Sequence, residues 1–178
     1  LKNQGFINGL FYDDNGSGSG ATVANLNSTA DMVRLGFAGT LKDYSLLLSD
    51  DTTKKGSEIM YGGSQAAGYA ADPQEIINYV DKHDNETLFD INTYKLPATT
   101  SAADRVRVQN LGSAFGLLAQ GVPFFHAGSD ILRSKSMDRN SYNSGDWFNR
   151  LDWTYTDNNF GVGAPPAADN TASYPQSK

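Results

Sequence analysis

The sequence has no cysteine, two histidines and three glutamates, the last set against 17 aspartates. The absence of cysteine excludes disulfide bonds, thiolate nucleophiles and cysteine metal sites. It is compatible with a secreted bacterial protein and equally with an intracellular one. Because glutamate is so scarce, every candidate for a catalytic glutamate can be considered individually.

Basic residues and long apolar runs are also scarce. Lysine and arginine total 14 against 20 acidic residues, which gives a net charge of −6 and a pI near 4.7. Binding to nucleic acid or to an anionic membrane needs clustered basic residues, so neither is expected as a partner. No run approaches the ~20 apolar residues of a membrane span. With 178 residues, 39% of them hydrophobic, the chain is long enough for one domain with a core.

The first part of the chain shows few regular elements. Residues 1–27 and 50–73 are loop-rich, with many glycine, asparagine and serine residues. Between them, Ser28 or Thr29 is a candidate N-cap for a helix that continues to about Leu35. The apolar triplet Leu46–Leu48 is too short to be assigned to a helix or a strand.

The pattern becomes clearer after Pro73. Two apolar runs, Ile76–Val80 and Val122–His126, predict buried strands. Between them the sequence predicts a short helix over Thr87–Lys95 and a long helix over Ala103–Gln120. Ser101 is the candidate N-cap of the long helix, and the predicted core face carries Val108, Leu111, Phe115 and Leu118.

The order strand, helices, strand, with no hairpin signal between, favours a parallel pair of strands. Parallel strands joined by helices are typical of α/β proteins, in which both faces of the sheet are covered. A (β/α)8 barrel needs eight such units and about 250 residues. The chain is therefore expected to be a small α/β domain or the C-terminal portion of a TIM barrel with long rim loops.

The segment His83-Asp84-Asn85-Glu86 follows directly on the first predicted strand. A barrel presents its catalytic groups at this end of its strands, and neighbouring acceptors and donors suit vicinal sugar hydroxyls. The alternative is structural: Asp84 caps the helix that begins near Thr87. The two interpretations are about equally compatible with the spacing.

A second polar cluster spans Ser141–Arg150 and includes Asp146, Asn149 and two aromatic side chains. Aromatic faces beside fixed polar groups suit sugars, whose C–H faces stack while their hydroxyls form hydrogen bonds. The alternative is an irregular loop whose aromatics cover one end of the domain, and composition alone favours that interpretation.

These motifs resemble those of a known family. The run Tyr79–Asp90 resembles a signature segment of the α-amylase superfamily of glycoside hydrolases, in the form found in pullulanases and limit dextrinases. The runs Pro123–Gly128, Leu132–Ser136 and Ser141–Arg150, with the later Asn158–Gly163, are similar to the segments that follow in those enzymes. The resemblance covers nearly the whole chain.

The resemblance implies hydrolysis of α-1,6-glucosidic bonds in pullulan, limit dextrins and amylopectin, with retention of configuration. It implies that Asp84 is the carboxylate that stabilises the transition state and that His83 and Asn85 bind the same sugar. Asp146, Asn149 and Arg150 would contact the neighbouring glucose. It implies no cofactor and no catalytic metal, although scattered aspartate and carbonyl oxygens would suit a structural Ca²⁺ ion.

The motifs of the family's nucleophilic aspartate and acid glutamate are not found in this sequence. Glu58 and Glu75 lie in the wrong positions, and Glu86 shares a loop with Asp84. The chain is therefore expected to run from after the fifth strand to just past the eighth strand of a catalytic barrel. The remainder of the barrel would lie on a missing or a separate chain, and the isolated chain would be inactive.

Two alternatives stay open: a non-catalytic α-glucan-binding fragment and an isoamylase-like debranching enzyme. The segment Arg133–Arg150 favours the pullulanase side. The compartment also stays open, since plant relatives would be plastidial and bacterial ones secreted or on the cell surface. The absence of cysteine favours the bacterial location.

Overall fold

The computed structural model of the chain describes residues 1–18 and 22–171. Within these two ranges, four α-helices and six short strands follow one another in an irregular order. In chain order they are α1 (Val23–Phe37), β1 (Ser45–Leu47), β2 (Thr53–Lys55), β3 (Met60–Tyr61), β4 (Gln65–Ala66), β5 (Ile77–Asn78), α2 (Leu88–Lys95), α3 (Ala102–Leu118), β6 (Val122–Pro123) and α4 (Asp146–Asn149).

Helix α1 begins earlier than the sequence predicts. Its N-cap is Thr22, whose hydroxyl accepts a hydrogen bond from the backbone N–H of Asn25. The expected caps, Ser28 and Thr29, lie inside the helix and donate their hydroxyls to the Asn25 carbonyl oxygen at 3.2 and 2.7 Å. Back-bonding of this kind lets Ser and Thr occupy a helix interior, so the prediction of loop for residues 23–27 was wrong.

The expected loop at residues 50–73 contains short antiparallel hairpins. Strand β2 pairs with β1, so Leu46 and Leu47 of the apolar triplet belong to a strand. Strand β3 pairs with β4. The small core of this region joins Leu35 of α1 to Leu46 and Ile59. Strands of two or three residues carry too few alternating positions to be predicted from sequence.

Strands β5 and β6 form the expected parallel pair, with Ile77 beside Val122 and Asn78 beside Pro123. Gly121, at φ +124°, allows the close approach before β6, because a Cβ there would lie 2.7 Å from Asn78 Nδ2. The predicted burial holds for Ile76, which is buried, but it was wrong for Ile77, which is 61% exposed, and for Val122, which is also exposed.

The two helices between these strands begin where the sequence predicts. The hydroxyls of Thr87 and Ser101 cap α2 and α3 by accepting from the N–H groups of Asp90 and Asp104, both at 3.1 Å. The predicted core face of α3 was wrong at Leu111 and Leu118, both exposed, whereas Val108 and Phe115 are half-buried. The buried residues of α3 are Gln109, Gly112 and Gly116.

A glycine explains why the polar side of α3 packs inward. A Cβ at Gly112 would lie 2.9 Å from Leu88 Cδ2, so its absence lets α2 and α3 come close together. Of the apolar stripe that sequence periodicity assigns to the core, Phe115 packs instead against Phe37 of α1, with ring centroids 5.1 Å apart, and Leu111 and Leu118 are exposed. Packing against a neighbour can override the periodicity of a single helix in this way.

Taken together, the described residues form a small mixed unit of helices and strands with three two-stranded sheets. One of these sheets is parallel and two are antiparallel. Among the helices of the described ranges, none is both long and apolar enough to cross a membrane.

Candidate active site

The ends of β5 and β6 bring two ionisable side chains together. His126 Nδ1 lies 3.2 Å from Asp81 Oδ2, and both side chains are buried. Asp81 also accepts hydrogen bonds from the backbone N–H of Leu88, at 2.9 Å, and from the Ser129 hydroxyl. The carboxylate therefore joins the loop after β5, the start of α2 and the loop after β6.

The guanidinium of Arg133 fixes the tautomer of His126. Arg133 Nη1 lies 2.9 Å from His126 Nε2 and can only donate, so Nε2 must accept. The ring proton then sits on Nδ1 and is donated to Asp81. Burial lowers the pKa of Arg133, while the charge of Asp81 opposes that shift. This chain of contacts is structural and does not reach the exposed ring of His83.

Asp84 is exposed on the same loop and has two basic neighbours. Its carboxylate forms an ion pair with the Lys82 ammonium and lies 3.5 Å from His83 Nε2. The hydrogen bond and charge of Lys82 are the main reason that the pKa of Asp84 is lowered. The group is therefore an open carboxylate, ionised at neutral pH, rather than the cap of α2. That cap is Thr87.

Asn85 turns the loop back towards the domain. It has φ +61°, a left-handed conformation that asparagine tolerates better than most residues. Its Oδ1 accepts a hydrogen bond from Arg139 Nη2 at 3.1 Å. Arg139 Nε also lies 3.7 Å from Glu86 Oε1. The backbone turn and the Arg139 guanidinium together define where the loop ends.

The side chain of a buried lysine also contacts this loop. Lys135 is 1% exposed, and its Nζ donates to the His83 carbonyl oxygen at 3.1 Å. Burial lowers the pKa of this ammonium, and the carboxylates of Asp138 and Asp90 oppose the shift. The sequence reasoning assigned no role to Lys135 or Arg139. Both lie about 50 residues further along the chain, and no local spacing links them to His83.

His83 and Asp84 line a cavity of about 190 Å³ together with Asn149 and the exposed aromatic ring of Tyr142. Arg139, Asn140 and Ser141 complete its wall. The structure thus brings three predicted residues to one concave surface and adds an aromatic face. A cavity of this size, with carboxylate, imidazole and amide groups around it, is suited to a hydroxyl-rich ligand.

The amide of Asn149 is already engaged by its own loop. Its Nδ2 donates to the carbonyl oxygens of Ser141 and Gly145, at 2.7 and 3.0 Å, and its Oδ1 accepts from the Ser141 hydroxyl. Asn149 therefore holds the wall of the cavity through hydrogen bonds within its own loop.

Asp146 and Arg150 lie at the two ends of α4, outside this cavity. The Arg150 guanidinium forms an ion pair with Asp157 and donates from Nε to Asn159 Oδ1 at 2.8 Å. The link between Asp146 and Arg150 is the backbone bond of the helical turn. Asp146 is exposed, so its carboxylate remains accessible on the outer side of the same loop.

Each of the three glutamates is held in a local structural position. Glu58 Oε2 accepts from the N–H of Lys55 at 2.7 Å, and Glu75 Oε2 accepts from the N–H of Ala71 at 2.9 Å. Glu86 is buried and faces Arg139. Within residues 1–18 and 22–171, then, the glutamates are used for turns and packing. Across the same residues, His, Asp and Glu side chains do not gather in groups of three that would hold a metal ion.

The likeness to known proteins extends over nearly the whole chain. No protein-family model matches it. It is 50% identical over 175 residues to pullulanase 1, chloroplastic, of Arabidopsis thaliana, a stretch that covers 97% of this chain and 18% of that protein. The chain is homologous to pullulanases. It is also 47% identical over 167 residues to the pullulanase of Klebsiella pneumoniae, covering 89% of this chain and 15% of that protein.

The three-dimensional likeness to pullulanases is equally close. The crystal structure of the maltotriose complex of PulA from Klebsiella pneumoniae superposes with a TM-score of 0.92 at 44% sequence identity. The match covers 98% of this chain and 18% of that one. This pullulanase homologue therefore spans less than a fifth of the length of the curated relatives that it matches.

Proposed function

We propose that this chain is the C-terminal portion of the catalytic (β/α)8 barrel of a pullulanase-type debranching enzyme. The complete enzyme would hydrolyse α-1,6-glucosidic bonds in pullulan, limit dextrins or amylopectin. The observation that carries the proposal is 50% identity to a pullulanase over 97% of the chain, with His83 and Asp84 at a strand end beside a cavity. The maltotriose bound to the Klebsiella relative supports an α-glucan as the ligand.

In this proposal Asp84 stabilises the transition state of a retaining reaction. An ionised carboxylate near the sugar forms contacts that strengthen as the ring becomes oxocarbenium-like. Lys82 supports the role because its hydrogen bond lowers the pKa of Asp84 and so favours the ionised form of the carboxyl group. His83 and Asn85 would bind the same sugar, and Asp146, Asn149 and Arg150 would contact the next one.

The nucleophile and the general acid would come from the rest of the polypeptide. The local roles of Glu58, Glu75 and Glu86 support this, because a general acid has to reach the leaving-group oxygen. The isolated chain is therefore expected to release no maltotriose from pullulan.

The exposed apolar surface around β5 and β6 supports a missing partner. A parallel pair normally lies within a larger sheet that is covered on both faces. Here Ile77, Tyr79, Val122 and Phe124 are all exposed. A groove of about 340 Å³ beside them is lined by apolar residues of α1 and α3, including Val33, Phe37 and Phe115. Neighbouring barrel strands and helices would cover this surface.

The proposal is tested with the full-length protein that contains this chain. Hydrolysis of pullulan to maltotriose is expected, and Asp84→Asn should lower kcat by several orders of magnitude with the thermal transition almost unchanged. Asp50→Asn, in an exposed turn, serves as the control. Near-normal turnover of the Asp84→Asn variant would refute the role of Asp84.

A non-catalytic α-glucan-binding fragment is the second candidate, favoured by the absence of a suitably placed glutamate. Intact mass spectrometry of the protein from its natural source separates the two. A mass close to that of this chain alone, with no companion polypeptide, would favour the binding protein. An isoamylase-like enzyme is distinguished by substrate, since the pullulanase proposal requires pullulan to be cleaved.

A further inference from the structure

The buried ammonium of Lys135 is held beneath the loop that carries Asp84. Burying a charge is unfavourable unless hydrogen bonds and opposite charges compensate it. The compensation is present: Nζ donates to the His83 carbonyl oxygen at 3.1 Å, and the carboxylates of Asp90, Asp138 and Glu86 all act on the ammonium. The interaction with Asp84 itself is weaker.

Lys135 and its neighbours contact the chain both before and after this loop. After Glu86 the chain enters α2, whose Asp90 is fully buried. Asp90 accepts from the Ser134 hydroxyl at 2.5 Å and from the N–H of Lys135 at 2.8 Å. The Lys135 side chain then returns to His83. Both ends of the loop are thereby tied to one short segment of the chain.

That segment, Ser134–Arg139, has an unusual backbone. Ser136 and Met137 are consecutive non-glycine residues with φ of 52° and 68°. Such conformations cost energy and persist where surrounding contacts fix them, often near functional sites. Here the Ser136 N–H donates to the Ser134 hydroxyl at 2.8 Å, and the Ser136 hydroxyl donates to the Gly163 carbonyl at 2.7 Å.

The segment contacts the loop twice, once on each side of the turn at Ser136 and Met137. Lys135 holds His83 from inside, whereas Arg139, four residues later, holds Asn85 from the solvent side at 3.1 Å. Asp84 lies between these two contacts. The turn at Ser136 and Met137 separates the two basic side chains, so that one contacts the loop at His83 and the other contacts it at Asn85.

We propose that Lys135 is a positioning residue that fixes the Asp84 carboxylate through its hydrogen bond to the His83 carbonyl oxygen. The inference rests on the proposed function and adds to it a residue that need not touch the sugar. A carboxylate that strengthens its contacts in the transition state must be held in place, because a shift of about 1 Å costs on the order of 10²-fold in rate.

The decisive variant is Lys135→Met in the full-length enzyme, which keeps the length of the side chain and removes the donor. We expect kcat on pullulan, per folded molecule, to fall by about 10- to 100-fold, and KM to change by less than about threefold. Lys135→Arg, which keeps a charged donor, should recover part of the lost kcat. Lys55→Met removes an equal charge from an exposed pair with Asp43 and is the matched control.

A merely structural role predicts a different result. In that case Lys135→Met would lower the thermal transition and the yield of folded enzyme, with kcat per folded molecule unchanged, and the inference would be wrong. Asp84→Asn in the same series distinguishes the two proposals. If Asp84→Asn retains activity, the proposed function fails. If it is inactive while Lys135→Met is normal, the positioning role alone fails.

The unmutated enzyme gives an answer even where neither lysine variant folds. A loop that is held in place should move by less than about 1 Å at the Cα atoms of His83–Asn85 between crystals without ligand and with maltotriose. The Lys135–His83 bond should be present in both. A loop that shifts by more than about 2 Å, or a broken bond in either crystal, would overturn the inference.

Discussion

Asp81 and His126 face each other across the ends of the parallel strands, with 3.2 Å between Asp81 Oδ2 and His126 Nδ1. His126 thus belongs to the junction between β5 and β6, whereas His83 lies exposed at the cavity. The sequence presents both in the same way, as a histidine after an apolar run. Their different roles follow from what the neighbouring loops place beside each ring.

The Asp81–His126 contact should contribute measurably to stability. Replacing His126 by Gln removes the Nδ1 donor from a buried carboxylate, which costs about 1–3 kcal/mol when the acceptor is left without it. Urea unfolding of the purified chain at neutral pH measures this. The exposed Lys55–Asp43 pair is the control, where Asp43→Asn should cost less than about 1 kcal/mol. Equal costs for the two substitutions would contradict the structural role.

Lys82 should control the ionisation of Asp84. Its hydrogen bond is the largest cause of the lowered pKa of Asp84, so Lys82→Met is expected to raise that pKa towards the ordinary aspartate value. Carboxyl-carbon NMR titration of the chain follows the change directly. Lys55→Met should leave the pKa of Asp84 where it was. An unchanged Asp84 titration in the Lys82→Met variant would show that the ion pair is not formed in solution.

Asp90 should give the chain an unusual pH dependence. Burial raises the pKa of Asp90 above its ordinary value, although hydrogen bonds from Ser134 and Lys135 oppose the shift. The stability that this group contributes is therefore complete below its unfolded pKa, about 3.9, and is lost as the pH rises through the raised folded pKa. The Asp90→Asn variant cannot titrate, so its stability relative to the unmutated chain should rise between pH 4 and pH 7.

Asp50 provides a control, because its contribution to stability should change with pH in the opposite direction. Hydrogen bonds from Thr52 lower the pKa of Asp50, so its contribution is present above the unfolded pKa and is lost as the pH falls. Asp50→Asn should therefore lose stability, relative to the unmutated chain, as the pH rises. Urea unfolding at several pH values measures both series. If the relative stability of both variants changed in the same direction with pH, the raised pKa of Asp90 would be contradicted.

Gly121→Ala should destabilise the junction between α3 and β6. The position needs φ +124°, and an added Cβ would meet Asn78 Nδ2 at 2.7 Å and the Ile76 carbonyl oxygen at 3.0 Å. We expect a cost of about 1–3 kcal/mol in urea unfolding. Gly62→Ala is the control, because φ is also positive there but nothing lies within 4 Å. The same small cost at both sites would show that the close contact is relieved without strain.

Local elements of the fold were predictable because their causes lie within a few residues. Thr87 and Ser101 mark the beginnings of α2 and α3, and the order of elements indicated a parallel strand pair. The start of α1 was missed because Ser28 and Thr29 resemble caps until their hydroxyls are seen to bond the preceding turn. Burial was predicted only in part, because within the described residues Phe115 of the apolar stripe of α3 packs against Phe37, whereas Leu111 and Leu118 stay exposed.

The candidate site was predicted in part for the same reason. Proximity along the chain placed His83, Asp84 and Asn85 together, and the second cluster contributed Asn149 to the same cavity. Asp146 and Arg150 belong to that cluster too, but α4 directs them away, where Arg150 pairs with Asp157. A run of polar residues does not reveal which of them face inward.

The sequence by itself determined the chemical character of this protein: an acidic chain without cysteine, homologous to pullulanases, with a carboxylate soon after a strand. Those properties depend on composition and on neighbours in the chain. Only the tertiary structure decided that a buried lysine more than 50 residues away supports the loop of that carboxylate. It also decided that His126 is structural, because long-range contacts arise from packing and leave no periodic trace in the sequence.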